Sequence, residues 1–190
     1  MEQASTLISD EEAYRRYLDG EEQGAAILVE RYGDLLMLYI NGYLKDVHES
    51  EDLMMEAFAR IFAKERPIAC EGSFKAYLYK TARHLAIRFH RKRKLSFLHF
   101  EELPFEPQSR MLTDAVFFQK ERSGQLYHGL EQLKAEYREA LYLVYFEDMR
   151  YKEAAQVMGK SEQQMTNLVY RGKQSLKTIL EREGFVYEDE

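Results

Sequence analysis

Residues 151–180 read YKEAAQVMGKSEQQMTNLVYRGKQSLKTIL, and this stretch sets the terms for the rest of the chain. Two short helical patterns meet at Met158-Gly159-Lys160-Ser161. The first carries small apolar residues, Ala154, Ala155, Val157 and Met158. The second opens at Ser161, whose hydroxyl suits the free N–H groups of a first turn, with Gln164 three residues on to reach back. Gly159 suits a left-handed turn between them, because it has no Cβ to clash. In the second helix Met165, Leu168, Val169 and Leu176 fall on one face. Thr166, Asn167, Tyr170, Arg171, Lys173, Gln174 and Lys177 are left largely outward. The pattern is a helix-turn-helix whose second helix offers a polar, cationic face of the shape a DNA major groove admits. An ordinary helical hairpin with a solvated face reads the same way locally, so the choice rests on the rest of the chain.

The chain has 190 residues, room for one large domain or two small ones, and 45% of them are hydrophobic. Three prolines and little strand-like alternation point to an all-α protein. The single cysteine, Cys70, excludes an intramolecular disulfide and a cysteine-based metal site. The opening MEQASTLISDEEAYRRYLDG lacks the apolar core of a signal peptide, and no apolar run approaches a membrane span. A reducing, cytoplasmic setting is expected.

The net charge of −6 hides a division. Residues 1–60 hold five Lys/Arg against fourteen Asp/Glu, whereas residues 61–94 hold ten against two. Such a chain places one patch against nucleic acid and another against a protein. Periodicity divides it in the same way. Ser9 with Glu12 predicts a capping box for a first helix to about Leu18. Glu21 to Leu44 is apolar on one side through Ala25, Leu28, Val29, Tyr32, Leu35, Leu36, Tyr39 and Ile40. Glu49 to Lys64 turns Leu53, Met54, Ala57, Phe58 and Ile61 inward. After a loop broken by Pro67 and Gly72, Ser73 caps a helix to about Arg93 with Phe74, Leu78, Ala82, Leu85 and Phe89 at three- and four-residue steps. Two small helical domains are expected, over 1–94 and 114–190, joined by a flexible linker over 95–113 that holds Pro104 and Pro107. The last residues, GFVYEDE, read as a frayed tail.

The fourth helix is the second candidate site. It ends in Arg88-Phe-His-Arg-Lys-Arg-Lys94, with Lys75, Lys80 and Arg83 upstream and Phe74, Tyr77, Tyr79 and Phe89 among them. Cations hold phosphates, and aromatic faces stack on unpaired bases. Phe74 and Phe89 read as core; for Tyr77 and Tyr79 packing and stacking stay open. The five histidines, His48, His84, His90, His99 and His128, show no metal-ligand spacing, and there is no glycine-rich phosphate loop or nucleophile elbow. Neither an enzyme nor a cofactor is expected.

In this order the residues resemble the extracytoplasmic-function (ECF) class of bacterial RNA polymerase sigma factors, small two-domain members of the sigma-70 family, over nearly the whole chain. That family carries a helix of the form acidic-Asp-Leu-x-x-Glu-x-Phe, here Glu51-Asp52-Leu53-Met54-Met55-Glu56-Ala57-Phe58. The resemblance implies that Glu51, Asp52, Leu53, Glu56 and Phe58 dock core polymerase. The family pattern Phe-x-x-Trp-Leu-Tyr-x-x-Ala-Arg-Asn is similar to Phe74-Lys75-Ala76-Tyr77-Leu78-Tyr79-Lys80-Thr81-Ala82-Arg83-His84. It implies that Tyr77, Lys80, Arg83, His84, Arg88, Arg91, Lys92 and Arg93 read and help melt the promoter's minus-ten element, with the loop Arg66–Gly72 trapping bases. Leu130-Glu-Gln-Leu133, Arg138 and the apolar run Ala140–Phe146 precede the helix-turn-helix as in the family's second domain. There Ser161, Gln163, Gln164, Thr166, Asn167, Tyr170, Arg171 and Lys173 would bind the minus-thirty-five element.

Departures from the family pattern bear on promoter sequence. Tyr77 stands where Trp is usual, His84 where Asn is common and Arg88 where Asp is common. Gln163 replaces a frequent Gly, and Thr166-Asn167 replace a basic-Ser pair, which favours hydrogen-bond readout of adenine edges. The expected function is a sigma factor that binds core RNA polymerase and promoter DNA, often held by an anti-sigma factor in this family. The alternative is a dimeric helix-turn-helix regulator that acts without polymerase. A purely protein-binding adaptor would leave the cationic cluster and the recognition helix without a purpose.

Overall fold

A computed structural model of the chain describes residues 8–64, 73–94, 105, 126 and 128–184. The loop 65–72 with Cys70, the expected linker apart from Phe105, and the expected tail beyond Gly184 lie outside the described residues. Every regular element among the described residues is helical. None of those helices is long and apolar enough to cross a membrane. The chain divides into two compact units, Met1–His99 and Phe100–Glu190.

The first unit holds α1 (Asp10–Leu18), α2 (Glu22–Leu44), α3 (Val47–Phe62) and α4 (Phe74–Lys94). Ser9 caps α1, its hydroxyl accepting from the Glu12 N–H at 3.1 Å. The return half of the expected box does not form, because the Glu12 carboxylate turns forward to Arg15 and Arg16. Helix α3 starts two residues before the periodicity suggests, since the Asp46 carboxylate accepts from the Glu49 N–H at 3.2 Å and fixes the cap there. Ser73 caps α4 as expected, accepting from Ala76 at 3.3 Å.

Helix α2 is the spine, with α1, α3 and α4 all packed on it. Its Leu28, Tyr32, Leu36, Tyr39 and Ile40 are buried among Leu53, Phe58 and Ile61 of α3 and Phe74, Leu78 and Tyr79 of α4. Leu35 departs from the expectation: it is 42% exposed, because one residue's step of about 100° carries it off the stripe that Leu36 occupies. Helix α1 closes the far end of this packing. The hydroxyls of Tyr14 and Tyr17 donate to the carbonyls of Ile61 and Phe62 at 3.3 and 3.2 Å, tying α1 to the last turn of α3. The approach of α1 to α2 needs Gly24, where a Cβ would lie 2.7 Å from the Tyr17 nitrogen.

In the second unit residues 128–131 are helical, followed by α5 (Ala135–Tyr145), α6 (Tyr151–Met158) and α7 (Glu162–Arg182). Helix α7 packs on both α5 and α6. Ala154, Ala155, Val157 and Met158 of α6 meet Met165 and Val169 of α7 in a buried core, as the sequence indicates. Gly159 adopts φ 65°, the left-handed turn that joins them. Arg138 is buried, and its guanidinium donates to the carbonyls of Leu130 at 2.6 Å and Leu133 at 2.7 Å, and to those of Glu131 and Phe105. Phe105 falls inside the span expected to be linker, yet it is fully buried with its ring 5.6 Å from that of Tyr142.

Candidate nucleic-acid interface

Helix α4 turns its apolar residues onto α2 and α3, which decides what its other side presents. Tyr79 is fully buried with its ring 5.1 Å from that of Tyr39, so it packs and does not stack on bases. Phe74 is core as expected, and Phe89 is half-buried. Tyr77, Lys80, His84, Arg88 and Arg91 follow one another at three- and four-residue steps along the opposite face. His84, Arg88, Arg91 and Lys92 are exposed, while Tyr77, Lys80 and Arg83 are half-buried. The side chain of Arg93 lies outside the described residues. Partial burial first, then the charges of Lys80 and Arg83, hold the His84 imidazole below its ordinary value. Lys64, which no motif singles out, sets its ammonium 4.6 Å from the centre of the Tyr77 ring.

The recognition helix α7 begins with both halves of the expected box. The Ser161 hydroxyl accepts from the Gln164 N–H at 3.2 Å, and the Gln164 side-chain oxygen accepts from the Ser161 N–H at 2.8 Å. Gln164 is therefore engaged at the cap. Gln163, Thr166, Asn167, Tyr170 and Arg171 are all exposed, Tyr170 at 64%. The Thr166 hydroxyl donates to the Glu162 carbonyl at 3.0 Å. Lys173 is exposed too, with its ammonium 4.7 Å over the Tyr145 ring. The Tyr145 hydroxyl is the main cause that raises the Lys173 ammonium above its ordinary value. Tyr145 is a neighbour the sequence reading missed, since α5 reaches α7 only through the tertiary fold.

The acidic helix α3 sorts the expected docking residues. Glu51 and Asp52 are exposed. Glu56 is half-buried and accepts from Arg60 one turn on, at 2.6 Å from its guanidinium. Leu53 and Phe58, expected as docking residues, are instead buried in the core, Phe58 at 2% exposure. Met55, which the motif does not single out, is a large apolar residue that α3 leaves exposed, at 54%.

Two helical units, one with a cationic stripe and the other a helix-turn-helix with a polar outer face, define a DNA-binding architecture of the kind transcription proteins use. Residues 28–95 match the family model for Sigma-70 region 2, and residues 123–176 match that for Sigma-70, region 4, together well over half of the chain. The chain is 27% identical over 155 residues to the ECF RNA polymerase sigma factor SigM of Bacillus subtilis, covering 82% of this chain and 94% of that one. It is 24% identical over 166 residues to SigX of the same organism, covering 84% and 85%. The sigma factor RpoE, solved with the anti-sigma factor NepR from Bartonella quintana, shares the fold with a TM-score of 0.57 at 20% identity over 80% of this chain and 94% of that chain. CnrH, solved with the cytosolic domain of CnrY, does so at 0.63 and 17% over 91% and 97%. The chain belongs to the sigma-70 family, as an RNA polymerase sigma factor of the ECF class.

Proposed function

We propose that this sigma factor docks core polymerase through the outward face of α3, with Glu51, Asp52 and Met55 in contact and Glu56 beside them. The stripe on α4 then meets the minus-ten element, and the outer face of α7 meets the minus-thirty-five element. Residues 1–94 and 114–190 act as the two DNA modules, joined through 95–113, of which Phe105 is packed into the second. The observation that carries this reading is the alignment of Tyr77, Lys80, His84, Arg88 and Arg91 on one face of α4, opposite its buried residues. A stacking ring among cations suits a strand whose bases have left the duplex.

The rest of the chain is acidic, so each module alone binds DNA weakly. Core polymerase supplies the missing affinity by fixing both modules at promoter spacing, a gain in effective concentration that needs no new DNA contact. The subunit makes and breaks no bond; it acts in the cytoplasm with polymerase. A partner of the anti-sigma kind, the kind that accompanies RpoE in its solved complex, would act on this chain by covering the polymerase-binding face.

Run-off transcription on a fragmented genomic library, with core polymerase in the presence and absence of this chain, tests the reading. Discrete chain-dependent start sites that share two upstream elements at fixed spacing are expected. Loss of core binding together with an absence of such starts would replace it with a polymerase-independent regulator.

A further inference from the structure

Lys64 lies just past the end of α3, and Tyr77 lies one turn into α4, so their contact joins two helices that the sequence keeps thirteen positions apart. Lys64 is exposed and Tyr77 half-buried, with the ammonium 4.6 Å from the ring centre. Lys80, His84 and Arg88 continue the face that Tyr77 begins. A ring that carries an ammonium on its face suits a nucleotide in two ways. The base fits the π-face, and the phosphate fits the cation. Stacking of a base outweighs an exposed cation–π contact, so a base competes successfully for the ring. The four-carbon stem of Lys64 lets the displaced ammonium stay within reach of what displaced it.

Resting on the reading of α4 as the minus-ten face, we propose that Lys64 and Tyr77 form a composite subsite for one unpaired nucleotide of the minus-ten strand. The base takes the ring face that the ammonium covers in the free protein, and the ammonium moves to that nucleotide's phosphate. Lys64 thereby serves both as a cover that protects the ring and as a phosphate contact from the chain just past α3. A lysine that merely packs on Tyr77 would have the first of these properties without the second.

The test uses holoenzyme assembled from core polymerase and the full chain. Its probe is the labelled single non-template strand of a promoter mapped by chain-dependent start sites, titrated between about 50 and 200 mM salt. Lys64→Ala is expected to reduce the magnitude of the slope of log K against log salt by about 0.7, the share of one single-strand phosphate. Its line should cross that of the wild type, weaker at low salt and equal or tighter at high salt, because the ring is then uncovered. Lys64→Arg should keep the wild-type slope. Tyr77→Ala should weaken binding at every salt concentration with the slope unchanged. A Lys64→Ala line parallel to the wild type overturns the subsite alone. Failure of wild-type holoenzyme to bind the strand overturns the minus-ten reading of α4, and the subsite falls with it.

Discussion

Arg138 carries a permanent charge into the interior of the second unit, where main-chain carbonyls of Phe105, Leu130, Glu131 and Leu133 receive it. Leu130 and Glu131 close the short helical segment 128–131, Leu133 lies in the turn that leads to α5, and the fourth carbonyl ties Phe105 beside Tyr142. Arg138→Ala leaves these acceptors without their donor and should cost about 3 kcal/mol in the second unit's urea transition. A loss under about 1 kcal/mol would mean that water replaces the guanidinium. His84 makes a different residue-level prediction. Partial burial, then Lys80 and Arg83, hold it below its ordinary value of 6.5, so the folded chain binds fewer protons than the unfolded chain in the window beneath that value. Its contribution to stability is therefore lost as pH falls through that window. A DNA phosphate beside the imidazole pulls in the opposite sense and makes binding take up a proton. Affinity for the minus-ten strand should rise as pH falls from about 7.5 toward 6, and His84→Asn should remove that share of the rise. Identical pH profiles for the two proteins would place no phosphate beside His84.

At the scale of elements, α7 separates capping from reading. Ser161→Ala should cost about 1 kcal/mol of stability. Gln164→Ala should move stability in the same direction and leave minus-thirty-five preference in place, because its side chain is spent on the Ser161 N–H. Asn167→Ala and Arg171→Ala should change preference in a selection from randomised upstream elements, with melting temperature nearly unchanged. An altered preference for Gln164→Ala alone would reverse these roles. Helix α3 divides the same way. Phe58→Ala empties a core position and should cost about 4 kcal/mol in the first unit. Asp52→Asn and Met55→Ser touch only the outer face and should stay within about 0.5 kcal/mol. Both should nonetheless weaken capture of core polymerase in pull-down titrations, and full capture by the double variant would remove the docking face from α3.

For the whole molecule, charge is the controlling quantity. Residues 61–94 hold ten Lys/Arg against two Asp/Glu in a chain of net charge −6, so positive charge is concentrated in one segment. Neutralising Arg91 and Lys92 together should reduce the salt slope of duplex-promoter binding by about 1.8, two phosphates' worth, while core capture holds. An unchanged slope would move the DNA path off the end of α4. The free chain should bind the same promoter far more weakly than holoenzyme does, since nothing else in it holds both modules on one DNA.

The helical class, the two-module order, and the Ser161, Gly159 and Gln164 turn could all be read along the chain. Each of these is a local matter of period, capping and the freedom of a glycine. Motif order was equally legible, because region 2 and region 4 patterns run along the chain as written. What period could not decide was which residues of a stripe face inward. Leu35 reads as core and is exposed, Phe58 reads as a docking residue and is buried, and Tyr79 stands two residues from Tyr77 on the opposite side of α4. Residues brought together from different elements were hidden altogether: Lys64 on Tyr77, Tyr145 on Lys173, and Phe105 against Tyr142 under Arg138. Those contacts depend on how helices cross, and the crossing is set by buried packing between elements that no local pattern encodes.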